Sequence, residues 1–361
     1  MNPDFNETQL LLQSTIRQFL ADEVPFDRIR EHEEKRTADG NLWQAMANQG
    51  WLGIALPEGV GGAGAGLIEA GIFIHELARR AAVVPGVEVM ACASLLASHA
   101  ENDQSELLRA VVEGNAVVVP ALLEAGDQFG ELEATVDANG ALQGDKTFVD
   151  YPDFATHHLV SARGPEGPGL YLVSRTDAGV ESEARSCTGR TPQADIRYRG
   201  AAATRVAGEP AVSVLLDRLR ALTSAQILGG MEVSLEMTVE YTNVRVQFGQ
   251  PLAAFQAVQH HAADMSMHVE SNRFLVYELL DQLDRGVANP LDTALVKASV
   301  SRSVPYVTMQ AHQLHGGQGL IEENDLYFFT IRGKDRSLAW GTAEECLALV
   351  ASDVETPPRW I

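Results

Sequence analysis

The sequence predicts an α+β protein in three parts: a helical block, a small β block and a second helical block. Three observations predict it. Apolar residues recur at helical spacing over the first third of the chain and again from residue 211 onward. Between those stretches come short β-type runs separated by Gly, Pro, Asp and Asn, the punctuation of a small sheet domain. In the last part, Gly249 and Pro251 break two long helical stretches apart, glycine past one end and proline at the next start. The expected domains are an N-terminal helical domain over 1–115, a middle β-domain over 116–210 and a C-terminal four-helix domain over 211–361.

The first helix is expected over 8–20, where Leu10, Leu11, Ile16, Phe19 and Leu20 share a helical spacing. A short helix over 41–48 is expected next, capped by Asn41 and stopped at Gly50. A longer helix over 67–81 ends before Pro85-Gly86, and two more follow over 87–100 and 104–113. The β runs lie at 117–119, 134–136, 141–142, 147–149, 158–160 and 170–173, and the β-domain ends near 206–210. Long helices are then expected over 212–244, 251–286, 292–315 and 342–353.

At 361 residues the chain can bury a large core, and 21% charged with 45% hydrophobic residues is ordinary globular composition. The formal net charge is −22, with 49 acidic against 27 basic residues. That balance repels nucleic acid and anionic lipid, so neither is an expected partner. It also means that coenzyme A or a dinucleotide needs a local basic or amide-rich site. The stretch Met1 to Glu7 is polar and acidic, unlike a signal or transit peptide, and no run is apolar enough to span a bilayer. Cys92, Cys187 and Cys346 are widely spaced and odd in number, which suits reduced structural thiols. The expectation is a cytoplasmic protein.

Four motifs bear on chemistry. The glycine-rich run 59–66 has no strand before it and no acid at the right distance after it, so it reads as a flexible connection, not a dinucleotide loop. His260-His261 and the pair His312 and His315 lack the acid or cysteine that would complete a metal site, so no metal is expected. Arg245-Val246-Gln247-Phe248-Gly249-Gln250-Pro251, followed by Gln256, places an arginine, amides and an aromatic ring at a helix–helix elbow. Two readings of it stand: Arg245 complements the end of its helix, or it meets a phosphate while Phe248 offers a stacking face. Finally, Gln313-Leu314-His315-Gly316-Gly317-Gln318-Gly319 closes a helix with more glycine than a cap needs, as if something approached the backbone closely.

Together these last two segments resemble the C-terminal domain of the acyl-CoA dehydrogenases, with its Arg-x-x-Phe-Gly and Gln-x-x-Gly-Gly-x-Gly motifs. Gly50-Trp51-Leu52-Gly53-Ile54, Leu56-Pro57-Glu58, Gly61-Gly62-Ala63-Gly64, His75-Glu76-Leu77 and Ala262-Ala263-Asp264-Met265 are similar to other stretches of that family. The resemblance implies a helical domain, a small β-domain and a four-helix domain, assembled as dimers or tetramers. It also implies FAD at a subunit interface. Arg245, Phe248, Gln256, Gln313, Gly316 and Gly317, with Gln247 and Leu314 beside them, match positions that hold a flavin whose ring sits mostly in the neighbouring subunit. This favours the phosphate reading of the elbow.

The family's chemistry is α,β-desaturation of an acyl-CoA thioester, in which a carboxylate removes the α-proton. The family offers two places for that base. One precedes a Gly-Thr pair; here Ala339-Trp340-Gly341-Thr342 puts Trp340 there. The other precedes a characteristic arginine; here Asp217-Arg218-Leu219-Arg220 puts Leu219 there, with Asp217 and Arg220 as substrate-side candidates. Neither Trp340 nor Leu219 takes a proton, and Glu344 and Glu345 lie further along the next helix. The family's Thr-Glu-Pro-x-x-Gly-Ser-Asp motif survives only as scraps near Leu123-Glu124-Ala125-Gly126-Asp127. Its ring-flanking tryptophan becomes Phe148, and the hydroxyl that would bond the ring becomes Asp150. The half-site lent to a neighbour is intact while the chain's own is eroded. The resemblance therefore implies the non-catalytic subunit of a heteromeric (α₂β₂, steroid side-chain type) acyl-CoA dehydrogenase, with a catalytic subunit as partner and acyl-CoA as substrate. Two alternatives are a stand-alone, homo-oligomeric flavoenzyme of oxidase, desulfinase or monooxygenase type using Asp150 or Asp217, and a non-enzymatic scaffold in which Arg245 is only a cap.

Overall fold

A computed structural model describes residues 5–126 and 132–354. In space the chain forms two compact units. One holds the chain up to Phe26, Gly71–Ala82 and everything from Arg220 on; the other holds Asp27–Ala70 and Val83–Leu219.

The helices that open the chain are α1 (Glu7–Glu23), α2 (Phe26–Lys35), α3 (Gly40–Asn48), α4 (Leu67–Arg79), α5 (Gly86–His99) and α6 (Ser105–Val112). Helix α1 starts in a capping box, in which Asn6 and Gln9 each accept the other's backbone N–H. Helix α3 is not capped by Asn41 as expected. Its cap is Asp39, which accepts the Leu42 N–H at 2.9 Å and also pairs with Arg28. Helix α2 has no counterpart in the sequence reading. It is so charged that only Ile29 and Glu33 of it are buried, and two positions make no visible apolar stripe.

The run 59–66, expected as a flexible connection, folds back on itself. Gly62 N–H donates to Pro57 O, Ala63 to Gly53, Gly64 to Leu56 and Ala65 to Ile54, at 2.8–3.1 Å. A Cβ on Gly62 would collide with the Leu56 carbonyl, so close backbone approach is what glycine supplies there.

The sheet contains β1 (Val118–Ala121), β2 (Thr135–Val136), β3 (Ala141–Asp150), β4 (His157–Gly164), β5 (Gly167–Ser174), β6 (Val180–Arg185) and β7 (Gln193–Gly208). The strand order is β1-β4-β2-β3-β7-β5, with β6 on β7, and β4 also pairs with β5, which closes the sheet on itself. The two runs expected at 141–142 and 147–149 are one strand, β3. Strands β6 and β7 were not expected. β6 is mostly exposed, and in β7 Ile196 and Tyr198 alternate with Asp195, Arg197 and Arg199, so neither shows a continuous apolar run.

From Glu209 on the chain is helical: α7 (Glu209–Val244), α8 (Gln256–Asp284), α9 (Pro290–His315), α10 (Leu326–Leu338) and α11 (Ala343–Val354), with a two-strand hairpin of β8 (Val246–Gln247) and β9 (Gln250–Pro251) at the elbow. The expected helix start at Pro251 is displaced: Pro251 pairs in the hairpin, 252–254 makes a 3-10 turn, and α8 begins at Gln256. Helix α10 adds an element between the expected third and fourth long helices. Close helix approach explains several glycines: a Cβ on Gly229 would strike the His75 backbone, and one on Gly333 would meet Val304 at 2.5 Å. A polar seam lies beside this core. His75 Nε2 meets Glu232 at 2.7 Å, Arg79 bridges Glu232 and Glu236, and Arg17 grips Glu76 with two bonds. Burial alone would raise the Glu232 carboxyl, but His75 and Arg79 hold it down at about 2.

Candidate cofactor and base positions

The elbow presents its residues to solvent. Helix α7 closes with the Arg245 N–H on Tyr241 O, and Leu252 N–H returns to Arg245 O, both at 2.9 Å. Phe248 and Gly249 sit at the tip of the hairpin with φ of 54° and 81°, the left-handed pair that a tight hairpin turn requires. A phenylalanine pays a steric cost there, and its ring is 91% exposed, edge-on to Phe255 at 6.1 Å. The Arg245 guanidinium is exposed and makes no hydrogen bond or ion pair with any described residue. Gln247 folds its amide onto Val246 O at 2.9 Å, and Gln256 is exposed at the first position of α8.

The end of α9 comes to the same place. The Tyr241 ring stacks on His315 with centroids 4.4 Å apart, joining the last turn of α7 to the last turn of α9. His315 also bonds Ala311 O at 2.8 Å, while His312 is held between Gly319 O at 2.6 Å and Thr330 Oγ1 at 2.7 Å. Both histidines are therefore accounted for by packing. Among the described residues no group of three His, Cys, Asp or Glu could hold a metal ion. Gln313 is exposed and Leu314 half-buried. The glycines differ. Gly316 has φ 60°, and a Cβ on Gly319 would press on His315 at 2.9 Å, so the fold requires glycine at both. Gly317 has no positive φ, and its Cβ would meet nothing within 4 Å. Nothing inside the chain requires glycine at 317, which leaves a bare backbone open to an outside group.

At the first base position, Trp340 takes φ 60° just past α10. Its carbonyl accepts Arg220 Nε at 2.9 Å, and its indole N–H is buried with no partner among the described residues. The loop around it is pinned by Lys297, whose Nζ donates to Ser337 O, Gly341 O and Ser301 Oγ at 3.0–3.1 Å. Glu345 does not serve in place of a base. It accepts the Thr342 N–H at 2.7 Å while its own N–H donates to Thr342 Oγ1, the capping box that starts α11. Glu344 is exposed. At the second base position, Leu219 is fully buried within α7. Of its neighbours, Asp217 is half-buried, Arg218 donates to Ser94 and Ser98, and Arg220 is buried.

In the β-domain, Asp150 is buried at the end of β3 and accepts Gln193 Nε2 at 2.7 Å. Phe148 has φ 53° and an exposed ring. Of the motif remnant near 123–127, Asp127 lies outside the described residues. Glu124 is not a mere scrap: it receives Lys146 Nζ at 2.5 Å and the N–H groups of Glu133 and Ala134, all in the interior. The pair was not expected from the sequence, because its two members sit on separate segments that only the fold brings together.

Residues 6–115 match the acyl-CoA dehydrogenase N-terminal domain, and residues 207–354 match the acyl-CoA dehydrogenase C-terminal domain. The acyl-CoA dehydrogenase FadE27 of Mycobacterium tuberculosis is 30% identical over 88% of this chain and 89% of its own length. The steroid ACAD Tcur3481–Tcur3483, solved as a variant, is similar with TM-score 0.92 and 31% identity over 97% of this chain and 98% of that one. The ChsE4–ChsE5 complex from Mycobacterium tuberculosis is similar with TM-score 0.91 and 26% identity over 99% and 100%. The chain belongs to the acyl-CoA dehydrogenase family, whose members bind FAD. The fold expected from the resemblance is the one observed.

Proposed function

We propose that this chain is a subunit of an FAD-dependent acyl-CoA dehydrogenase that lacks its own base and completes the cofactor site of a catalytic partner. One observation carries the reading: the Arg245 guanidinium, the Phe248 ring and the Gly317 backbone lie open to solvent, while Trp340 and Leu219 fill both base positions. Arg245 would hold a phosphate of the cofactor, Phe248 would cover its adenosine half, and Gly316 and Gly317 would let it lie against bare backbone. When bound, FAD supplies the hydride acceptor for α,β-desaturation of an acyl-CoA. This chain's part is to bind and orient it; α-proton removal falls to a carboxylate of the partner. The steroid ACAD and the two-protein ChsE4–ChsE5 complex among the similar structures support a heteromer. The stand-alone alternative finds no support in Asp150, whose carboxylate is turned onto Gln193.

The test is purification of the chain alone and with its partner subunit. The complex is expected to be yellow and active, and Arg245→Ala is expected to lower its FAD affinity at least tenfold, the scale of one charge-assisted phosphate contact. A yellow, fully active protein from this chain alone overturns the proposal, as does an Arg245→Ala complex with unchanged FAD content.

A further inference from the structure

The ring-side residues of the β-domain do not fit a flavin, and the misfit has a definite cause. We propose that Asp150 keeps a flavin ring out of this chain's own β-domain, so that the chain lends a clamp without holding a ring. This rests on the shared-site reading above and adds a residue to it.

Asp150 ends β3 directly across from Gln193, its partner in the antiparallel ladder with β7. The Gln193 amide donates to the carboxylate at 2.7 Å, and the next residue, Tyr151, donates its N–H to Pro192 O at 2.8 Å. The start of β7 thus grips this corner by both side chain and backbone. Tyr151 stands at φ 53°, as does Phe148 before the carboxylate, and the β3–β7 register slips between Lys146 and Val149. The corner is held in shape, and the carboxylate cannot swing out to solvent without breaking the Gln193 bond.

An ionised carboxylate only accepts hydrogen bonds. The polar edge of an oxidised flavin offers N1, N5 and two carbonyl oxygens, which also accept, with N3–H as its single donor, and a reduced flavin anion carries like charge. At a site only 4% exposed, neither repulsion is screened by water. A hydroxyl at the same place would donate. The substitution therefore does more than remove a contact: it sets an acceptor against an acceptor.

The experiment measures FAD released on denaturation per copy of this chain, in the complex isolated from its native cells. One FAD per copy is expected for the wild type, with its ring in the partner. Asp150→Asn keeps the side-chain shape and the Gln193 bond while supplying an N–H donor, and Asp150→Thr supplies a hydroxyl. Either variant is expected to raise the ratio towards two. A wild-type ratio of two, or a ratio that stays at one in both variants, overturns the inference. A wild-type ratio of zero sinks the shared-site reading instead.

Discussion

Lys297 is fully buried, and its Nζ has three partners: the Ser337 and Gly341 carbonyls and the Ser301 hydroxyl. Burial first, then the nearby Arg220 and Arg336, push this amine down to about 7, against the opposing pull of Cys346 and Glu345. The site suits both protonation states. As an ammonium, Lys297 donates to all three; as a neutral amine, it donates to the two carbonyls and accepts from Ser301. The loop that carries Trp340 is therefore held throughout, and what changes with pH is stability. Between about 7 and the ordinary value of 10.5 the unfolded chain holds more protons at this position than the folded one. Stability thus rises with pH across that window, by up to about 1.4 kcal/mol per pH unit, and the cost of the buried charge is greatest below it. Lys297→Met should remove this rise, seen as a flatter slope of unfolding free energy from urea titrations between pH 7 and pH 9. An unchanged slope would show that Lys297 does not titrate there. A sequence does not reveal such residues. Lys146 and Glu124 lie far apart along the chain, and only folding β3 against the preceding segment makes them a buried pair.

At the scale of elements, legibility followed apolar contrast. Helices α1, α4, α5, α7 and α9 lie close to the expected ranges because their apolar residues outnumber or segregate from the polar ones. Helix α2 and strand β6 escaped because charged residues line much of their length; β7 mixes alanines with alternating charged residues, and α10 opens on an aromatic run with no helical polar–apolar contrast. The turn after α9 shows what glycine spacing alone cannot separate. Gly316 serves a backbone conformation, Gly319 serves packing, and Gly317 serves neither. The three should respond differently to substitution. Gly319→Ala forces His315 or the α9 backbone to move and should cost about 1–3 kcal/mol, the range for overpacking a tight contact. Gly317→Ala should leave the urea midpoint almost unchanged, yet lower the FAD content of the complex if the cofactor lies where the shared-site proposal puts it, against that backbone. If Gly317→Ala destabilises the chain as much as Gly319→Ala, the open space at 317 has been misread. If it retains full FAD, the cofactor does not lie against that backbone.

On the scale of the whole molecule, nearly all of the exposed bulky apolar side chains lie in the unit that holds the chain from Arg220 on. Val244, Phe248, Met267, Phe274, Met309 and Leu320 stand out on α7, the elbow, α8, α9 and the turn beyond. Isolated exposed apolar residues are ordinary, but concentrations of large ones mark surfaces that another chain covers. Charge alone would keep this protein apart from its copies, since a net −22 repels like chains; apolar burial at about 25 cal/mol per Å² is what offsets that repulsion in an assembly. The residues proposed to hold the cofactor share this unit with the exposed apolar side chains, so on that proposal assembly and FAD retention should fail together. Met267→Asp and Met309→Asp place charges on α8 and α9 at residues already exposed, where the isolated fold loses little. Light scattering should then report a lower mass for the complex, with FAD lost in proportion and helical circular dichroism unchanged. A wild-type chain that stays monomeric at micromolar concentration with its partner present would remove the basis for a shared site. So would variants that fall apart while keeping their FAD, since a cofactor clamped across two chains cannot outlast their separation.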